Sequence, residues 1–361
     1  MNREFAAALE EWYGVNGRDL PWRHTCNPYL IWVSEIILQQ TRVAQGMDYY
    51  ERFVERFPDF GRLAEASEVE VMRMWQGLGY YSRARHLHAA ARMMAAAGCF
   101  PADYAGVKAL PGVGEYTAAA ICSIAYGLPH AVLDGNVFRV LARYFLIDEP
   151  IDTTRGRKVF RAMADEMLDT AAPGRYNQAI MDFGALQCVP GVPDCLRCPL
   201  GTTCGAFREG RVRELPVKER SVHVRDRYLA YFYVCDTNGR VYLRRRPRGD
   251  IWQGLYELYG IEGDRPFRPD EAAPMFPGCR LTSCASRFKH QLTHQTLYAD
   301  CYLVEGFAGE LPGNGEWVAA GDLPDYPMPR LMERLLEAVG KKLDVCEKKY
   351  AVEFCQFSGN P

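Results

Sequence analysis

Four of the thirteen cysteines crowd into one stretch, Cys188, Cys195, Cys198 and Cys204, with gaps of six, two and five residues between them. One short loop can wrap four thiolates of that spacing around a single centre, and no other pattern in the chain restricts its fold so tightly. Four soft sulfur donors suit zinc or an iron-sulfur cluster, and spacing alone does not choose between them. Pro190, Gly191, Pro193 and Pro199 make the stretch a loop and not a buried helix, which argues against four unrelated core thiols. Disulfides are the other common use of cysteine, but the total is odd and the chain is long. Clustered thiols in a reducing compartment point instead to metal ligation.

The remaining pattern divides in two. At 361 residues, with 48% apolar and 24% charged residues, the chain is expected to form two ordinary globular domains. No run approaches the ~18 consecutive apolar residues of a membrane helix, and the first residues lack the charged-then-apolar plan of a secretory signal, so an intracellular, cytoplasmic location is expected. The net charge of −2 means that any nucleic-acid surface must be a local patch. To about residue 207 the periodicity is helical, as in Tyr81–Gly98 and Glu115–Tyr126, with Gly and Pro breaks between segments. Residues 208–227 read as a basic, solvated linker, in which Arg208, Arg211, Arg213, Lys218, Arg220, Arg225 and Arg227 are diluted by acids around Pro216. From Tyr228 the period becomes two, with strand-like runs at Tyr228–Val234, Val241–Leu243, Tyr298–Val304 and Glu316–Val318 and a hairpin turn at Asn238-Gly239. Residues 228–341 are therefore expected to be α+β, closing on a helix from Arg330 to about Lys341, and 342–361 carry no assignable pattern.

Three sites in the helical part bear chemistry. Leu110–Gly114 lies between two helical patterns, where Gly112 and Gly114 permit a tight turn whose free N–H groups can face a phosphate. Twenty residues past Gly114 stands Asp134, beside a glycine at the start of an apolar helix, which in isolation reads as an N-cap. Glu35 lies among Trp32, Val33, Ile36, Ile37 and Leu38, so its helix must be partly buried. Partial burial raises a carboxyl pKa and keeps a proton available near neutrality.

The cysteine spacing, just after Gly184–Cys188, resembles the loop of the endonuclease III and MutY glycosylases, and that resemblance favours one [4Fe-4S] cluster, bracing a loop that sets Arg197 near phosphate. It extends over nearly the whole chain. The segment around Glu35 closely matches the MutY motif, which implies that Glu35 protonates adenine at N7 while Asp134 stabilises an oxocarbenium-like sugar. Tyr116 stands where bifunctional relatives carry a lysine, so base removal without a Schiff base is implied. Trp22, Arg23, Leu38 and Gln178 correspond to the lining of the adenine pocket. Gln40 and Tyr80 correspond to wedges in the duplex, with Thr41 and Leu78 beside them against the opposing base. From Tyr228, including Gly254–Leu258, the chain resembles a Nudix-like module that lacks the Glu-rich metal box, which implies a reader and not a second hydrolase. Leu292, Thr293 and His294 align with the family's Phe-Ser-His triplet, keeping a hydroxyl and an imidazole but losing the ring.

The implied fold is an all-α helix-hairpin-helix glycosylase domain with an iron-sulfur loop, followed by a smaller α+β Nudix-like domain. The implied activity is removal of adenine opposite 8-oxoguanine or guanine in double-stranded DNA, by a monomer associated with the bacterial nucleoid. Two rivals stand beside it. An endonuclease III-like pyrimidine or mismatch thymine glycosylase is opposed by Tyr116, Glu35 and the long C-terminal domain. A non-catalytic mismatch-binding protein is opposed by retention of both acids.

Overall fold

The structure, a computed structural model, describes residues 2–219, 224–271 and 273–357. Arg220 of the expected linker and the end of the tail, 358–361, lie outside them. The chain divides into two compact units: Met1–Ala66 with Arg85–Ser221, and Ser67–Ala84 with Val222–Pro361. The second takes in a segment of the expected helical domain. Thirteen α-helices are described: α1 Asn2–Asn16, α2 Pro28–Ile37, α3 Val43–Arg56, α4 Phe60–Glu65, α5 Glu68–Met74, α6 Ser82–Ala97, α7 Tyr104–Lys108, α8 Glu115–Tyr126, α9 Gly135–Phe145, α10 Thr154–Met167, α11 Pro173–Asp182, α12 Gly205–Arg208 and α13 Arg330–Phe357. None is long and apolar enough to cross a membrane.

In the first unit, helix starts follow from capping side chains. Asn27, Asp59, Asp103, Asp134 and Thr153 each accept a backbone N–H of the turn that follows. Helix α8 is the central strut, buried from Thr117 to Ser123, with Ala118, Ala119 and Ala120 in a row at its middle. Small side chains let α2 and α11 pack directly on it. At Gly174 the approach is so close that a Cβ would sit 2.6 Å from the carbonyl oxygen of Ser123. Beyond α11 a turn of π-helix, Phe183–Gln187, presses Gly184 against Asn136, where a Cβ would meet the Asn136 Cβ at 2.6 Å. That contact brings the end of α11 to the start of α9. Phe5, Leu9, Val137, Leu141, Phe160, Ala179 and Phe183 fill the surrounding core.

The second unit is a six-stranded sheet: β1 Arg225–Val234, β2 Arg240–Arg245, β3 Tyr256–Gly263, β4 Arg280–Gln291, β5 Gln295–Glu305 and β6 Gly315–Ala319, in the order β4-β5-β1-β3-β2-β6. Strands β1 and β5 run parallel, and the other pairs are antiparallel. The expected alternation is visible in β1. Leu229, Tyr231 and Tyr233 share a core with Leu331, Leu335 and Val339 of α13, whereas Ala230, Phe232 and Val234 pack on the opposite face with Phe276 and Phe307. Two expectations are corrected, and two strands are added to those expected. The final helix runs to Phe357, not about Lys341. Strand β1 begins inside the supposed linker, where Arg227 is only 7% exposed and pairs with Asp250 and Glu262 instead of meeting solvent. Strands β3 and β4 went unread in the periodicity.

Candidate active site

One cavity of about 460 Å³ in the first unit gathers the expected catalytic and base-binding residues: Trp22, Arg23, Glu35, Leu38, Tyr116, Asp134 and Gln178 all line it, with Thr41 beside them. Pro28 opens α2 at a position where no N–H is missed, and the apolar run that follows buries the helix, carrying Glu35 to 8% exposure. Tyr116 comes from the first turn of α8, directly after the hairpin, and Asp134 caps α9.

The carboxyls facing this cavity are in different electrostatic situations. Burial lifts the Glu35 carboxyl to about 7; the Tyr116 hydroxyl, which donates to it, pulls the other way, Asp134 raises it further and Arg23 lowers it. Near neutrality Glu35 therefore carries a proton for a substantial share of the time. Asp134 is raised as well, by burial, and the backbone N–H groups of Asn136 at 2.9 Å and Val137 at 2.8 Å, with the Asn136 side-chain amide at 2.8 Å, oppose that rise by stabilising its anion. The N-cap reading and the catalytic reading of Asp134 describe one geometry, because the cap bonds aim the carboxylate. A cavity with a protonated acid and a held anion can protonate one atom of a ligand while opposing positive charge on another. The Tyr116 phenol, pushed well up by burial and the two acids, has one proton to share between Glu35 and Met181 Sδ, the latter 3.2 Å away.

The walls carry the recognition groups. Tyr13 donates to Gln178 Oε1 at 3.1 Å, which leaves the amide NH₂ of Gln178 for a ligand. Trp22 is buried with its ring edge-on to Tyr50 at 4.9 Å. Arg23 is held by Asp182, a buried acid that the sequence reading passed over although it lies two residues before Gly184. Asn136, Arg139 and Arg143 were also missed as site residues. Asn136 joins Asp134 to Arg139, whose guanidinium reaches the carbonyls of Gly184 at 2.5 Å and Cys188 at 2.7 Å.

Away from the cavity, Gly112 and Gly114 are not equivalent. Gly112 has φ +77° and would bring a Cβ within 2.7 Å of His86 Cβ, so the turn needs glycine there. Gly114, the N-cap of α8, has φ −87° and open space around it, so the turn itself does not require glycine there. Gln40 is exposed at φ 56°. In the second unit, Tyr80 is 46% exposed at φ 48° and its hydroxyl is hydrogen-bonded to Thr293 Oγ1, in the tight turn joining β4 to β5. Leu292 leans on the core, His294 is exposed, and Leu78 is buried with its N–H donated to the Trp75 carbonyl at 3.1 Å.

Cys188, Cys195, Cys198 and Cys204 line one cradle with Val140, Arg143, Phe183 and Leu200. Among the described residues no three Cys, His, Asp or Glu side chains converge as the ligands of a single ion. Four thiols on the lining of one space are a donor set that a metal-sulfur group can use. Burial pushes the Cys198 thiol up to about 11, and the neighbouring cysteines add to the rise, the repulsion that a bound cationic centre would relieve. Arg143 secures the cradle with bonds to the Val189 carbonyl at 2.8 Å and Cys188 Sγ at 3.4 Å. Arg197 is largely solvent-exposed, beside Asp194.

Helical scaffold, glycine hairpin, paired acids and cysteine cradle together define the class of helix-hairpin-helix glycosylases. Residues 33–163 match the HhH-GPD superfamily of base excision DNA repair proteins, and residues 230–338 match the NUDIX domain. The chain is 32% identical over 301 residues to the adenine DNA glycosylase of Buchnera aphidicola subsp. Baizongia pistaciae, covering 81% of this chain and 84% of that one. It is 41% identical over 227 residues to the adenine DNA glycosylase of Mus musculus, covering 59% of this chain and 44% of that longer one. Among solved structures, a thermostable thymine-DNA glycosylase superposes with a TM-score of 0.54 and 28% identity, over 58% of this chain and 97% of the other. The chain belongs to the MutY-type adenine DNA glycosylase family, and is a base-excision DNA glycosylase.

Proposed function

We propose that this chain hydrolyses the N-glycosidic bond of adenine standing opposite 8-oxoguanine or guanine in double-stranded DNA. The observation that carries this reading is the pairing, in one cavity, of Glu35 lifted to about 7 with an Asp134 carboxyl gripped by the N–H donors of Asn136 and Val137. With adenine flipped into the cavity, Glu35 donates its proton to N7, so the bond electrons leave on a neutral base. Positive charge then grows on the sugar, where the Asp134 carboxylate favours it selectively, and water adds at the anomeric carbon. Arg23 and Gln178 orient the base edges. Tyr116 offers no amine, so the reaction ends at the abasic site and the enzyme is monofunctional.

Cys188, Cys195, Cys198 and Cys204 would hold a [4Fe-4S] cluster, which when bound cross-links the loop and leaves proton transfer to the cavity residues. The hairpin at Gly112–Gly114 and the Tyr80, Thr293 and His294 surface would meet the duplex and the opposing base, with Gln40 as a further wedge.

Labelled duplexes with A opposite 8-oxoguanine, A opposite G and T opposite G, treated with enzyme and then alkali, test the reading. Strand breaks at A, strongest opposite 8-oxoguanine, support it. Breaks at T opposite G, or efficient borohydride trapping of an enzyme–DNA adduct, overturn it in favour of the thymine or bifunctional reading.

A further inference from the structure

Asp182 ends α11 with no exposed surface, yet it makes more polar contacts than any acid facing the cavity. Its carboxylate accepts from the Arg18 backbone N–H and Nε, both at 2.9 Å, and from the terminal nitrogens of both Arg18 and Arg23, that of Arg23 Nη2 at 2.6 Å. Arg23 is fixed further by its bond to the Arg18 carbonyl at 3.0 Å and by lying over the Tyr13 ring. Arg18 and Arg23 both line the cavity, and Arg23 is the cation that acts on Glu35.

The site therefore holds two carboxyls that compete for one guanidinium. A carboxyl that captures Arg23 ionises readily; one that does not stays protonated in a buried place. Asp182 has won, although burial alone would raise it, because two guanidiniums hold it below the ordinary carboxylate range. The other groups facing Glu35 are Tyr116 from α8 and Asp134 from α9, with exposed Arg42 on the cavity lining.

We propose that Asp182 is a positioning residue for excision: it holds the Arg23 guanidinium away from Glu35 and thereby keeps Glu35 a proton donor. This rests on the reading of Glu35 as the acid.

The test is the pH dependence of single-turnover excision on a duplex with A opposite 8-oxoguanine. Wild type should lose activity as pH rises through about 7. In Asp182→Asn, Arg23 is released to pair with Glu35, and the falling limb moves to lower pH by about one unit or more, with about tenfold loss near pH 8 and a much smaller loss near pH 5.5. Asp182→Glu keeps the charge and should keep the limb in place, whatever its absolute rate. A purely structural role would scale the rate evenly across pH, and that result overturns the inference. Should Asp182→Asn not fold, Arg23→Gln compared with Arg23→Gln/Asp182→Asn serves instead. The two limbs should coincide, because the cation that Asp182 restrains is gone; a lower limb in the double variant overturns the inference. A wild-type profile with no falling limb would remove the acid reading itself, and this proposal with it, whereas an intact wild-type limb unmoved by Asp182→Asn sinks this proposal alone.

Discussion

Replacing Glu35 by Gln should abolish excision and at the same time stabilise the protein, and the size of that gain follows from the structure. The carboxyl is raised from 4.5 to about 7, mainly by burial. A carboxyl whose folded value lies above its unfolded one binds its proton more tightly in the folded state, so the folded state is favoured at low pH and loses ground as pH climbs from the unfolded value towards the folded one. At about 1.4 kcal/mol for each tenfold in acidity, the loss is complete near pH 8 and amounts to about 3 kcal/mol. Gln cannot ionise and escapes it. Near pH 8 the variant should therefore unfold about 3 kcal/mol less readily than wild type, which for a unit of this size raises the calorimetric transition by roughly 6–12 °C. At about pH 4, where both side chains are neutral, the two transitions should coincide within a degree or two. The measurement is scanning calorimetry of both proteins at the two pH values, with single-turnover excision run in parallel. An equal displacement at both pH values would show that Gln acts by packing and not by charge. No displacement at either would show that Glu35 is not strained by burial, and the argument for its proton would go with it.

Asp134→Asn should lower excision by at least about a hundredfold while changing stability by only a few tenths of a kcal/mol, since Asn caps a helix nearly as well as Asp; Asp134→Ala should lose excision and about 1 kcal/mol as well, read by melting. Gly112→Ala meets both a positive φ and His86, so it should cost roughly 1–3 kcal/mol and weaken duplex binding, whereas Gly114→Ala, strained by neither, should cost at most about 1 kcal/mol as a poorer N-cap, read by melting. Thr293→Ala with His294→Ala should narrow the preference for A opposite 8-oxoguanine over A opposite G by about ten- to a hundredfold, the worth of a pair of lost hydrogen bonds, and an equal loss on both duplexes would count against a lesion-reading role. Purified protein should contain close to four iron and four sulfide for each set of four cradle cysteines, and zinc without sulfide would overturn the cluster assignment.

What could be read from the sequence was what lies close together along it. The cradle cysteines share one loop, Gly112 sits in its own turn, and the apolar neighbours of Glu35 on α2 already betrayed its burial. Asp182 escaped notice because its partners Arg18 and Arg23 lie 164 and 159 positions away, and nothing local marks it as buried. Strand β4 was missed for a different reason: it has no fully buried residue and its register is broken between Ser283 and Ala285 and again before Phe288, so period-two alternation never develops. The long α13 continues past Lys341 through Asp344, Glu347, Lys348 and Lys349, a polar run with no apolar stripe strong enough to announce a helix.

The early excursion of the chain through Ser67–Ala84 has a practical consequence for dissecting the molecule. That segment is tied to residues far downstream by Arg73 to Asp325 at 3.1 Å, Gln76 to Glu333 at 2.5 Å, Arg245 to Glu68 at 2.9 Å, and Tyr81 to the Met328 carbonyl at 3.2 Å. Cleavage at Lys218 would cut the polypeptide once yet sever the sheet unit from one of its own pieces. The N-terminal fragment would carry a stretch whose anchors are on the other product, and protease sites around Arg73 and Arg83 should open in it. The two fragments, mixed, should recover protection there, as halves of one interrupted body and not as two independent modules.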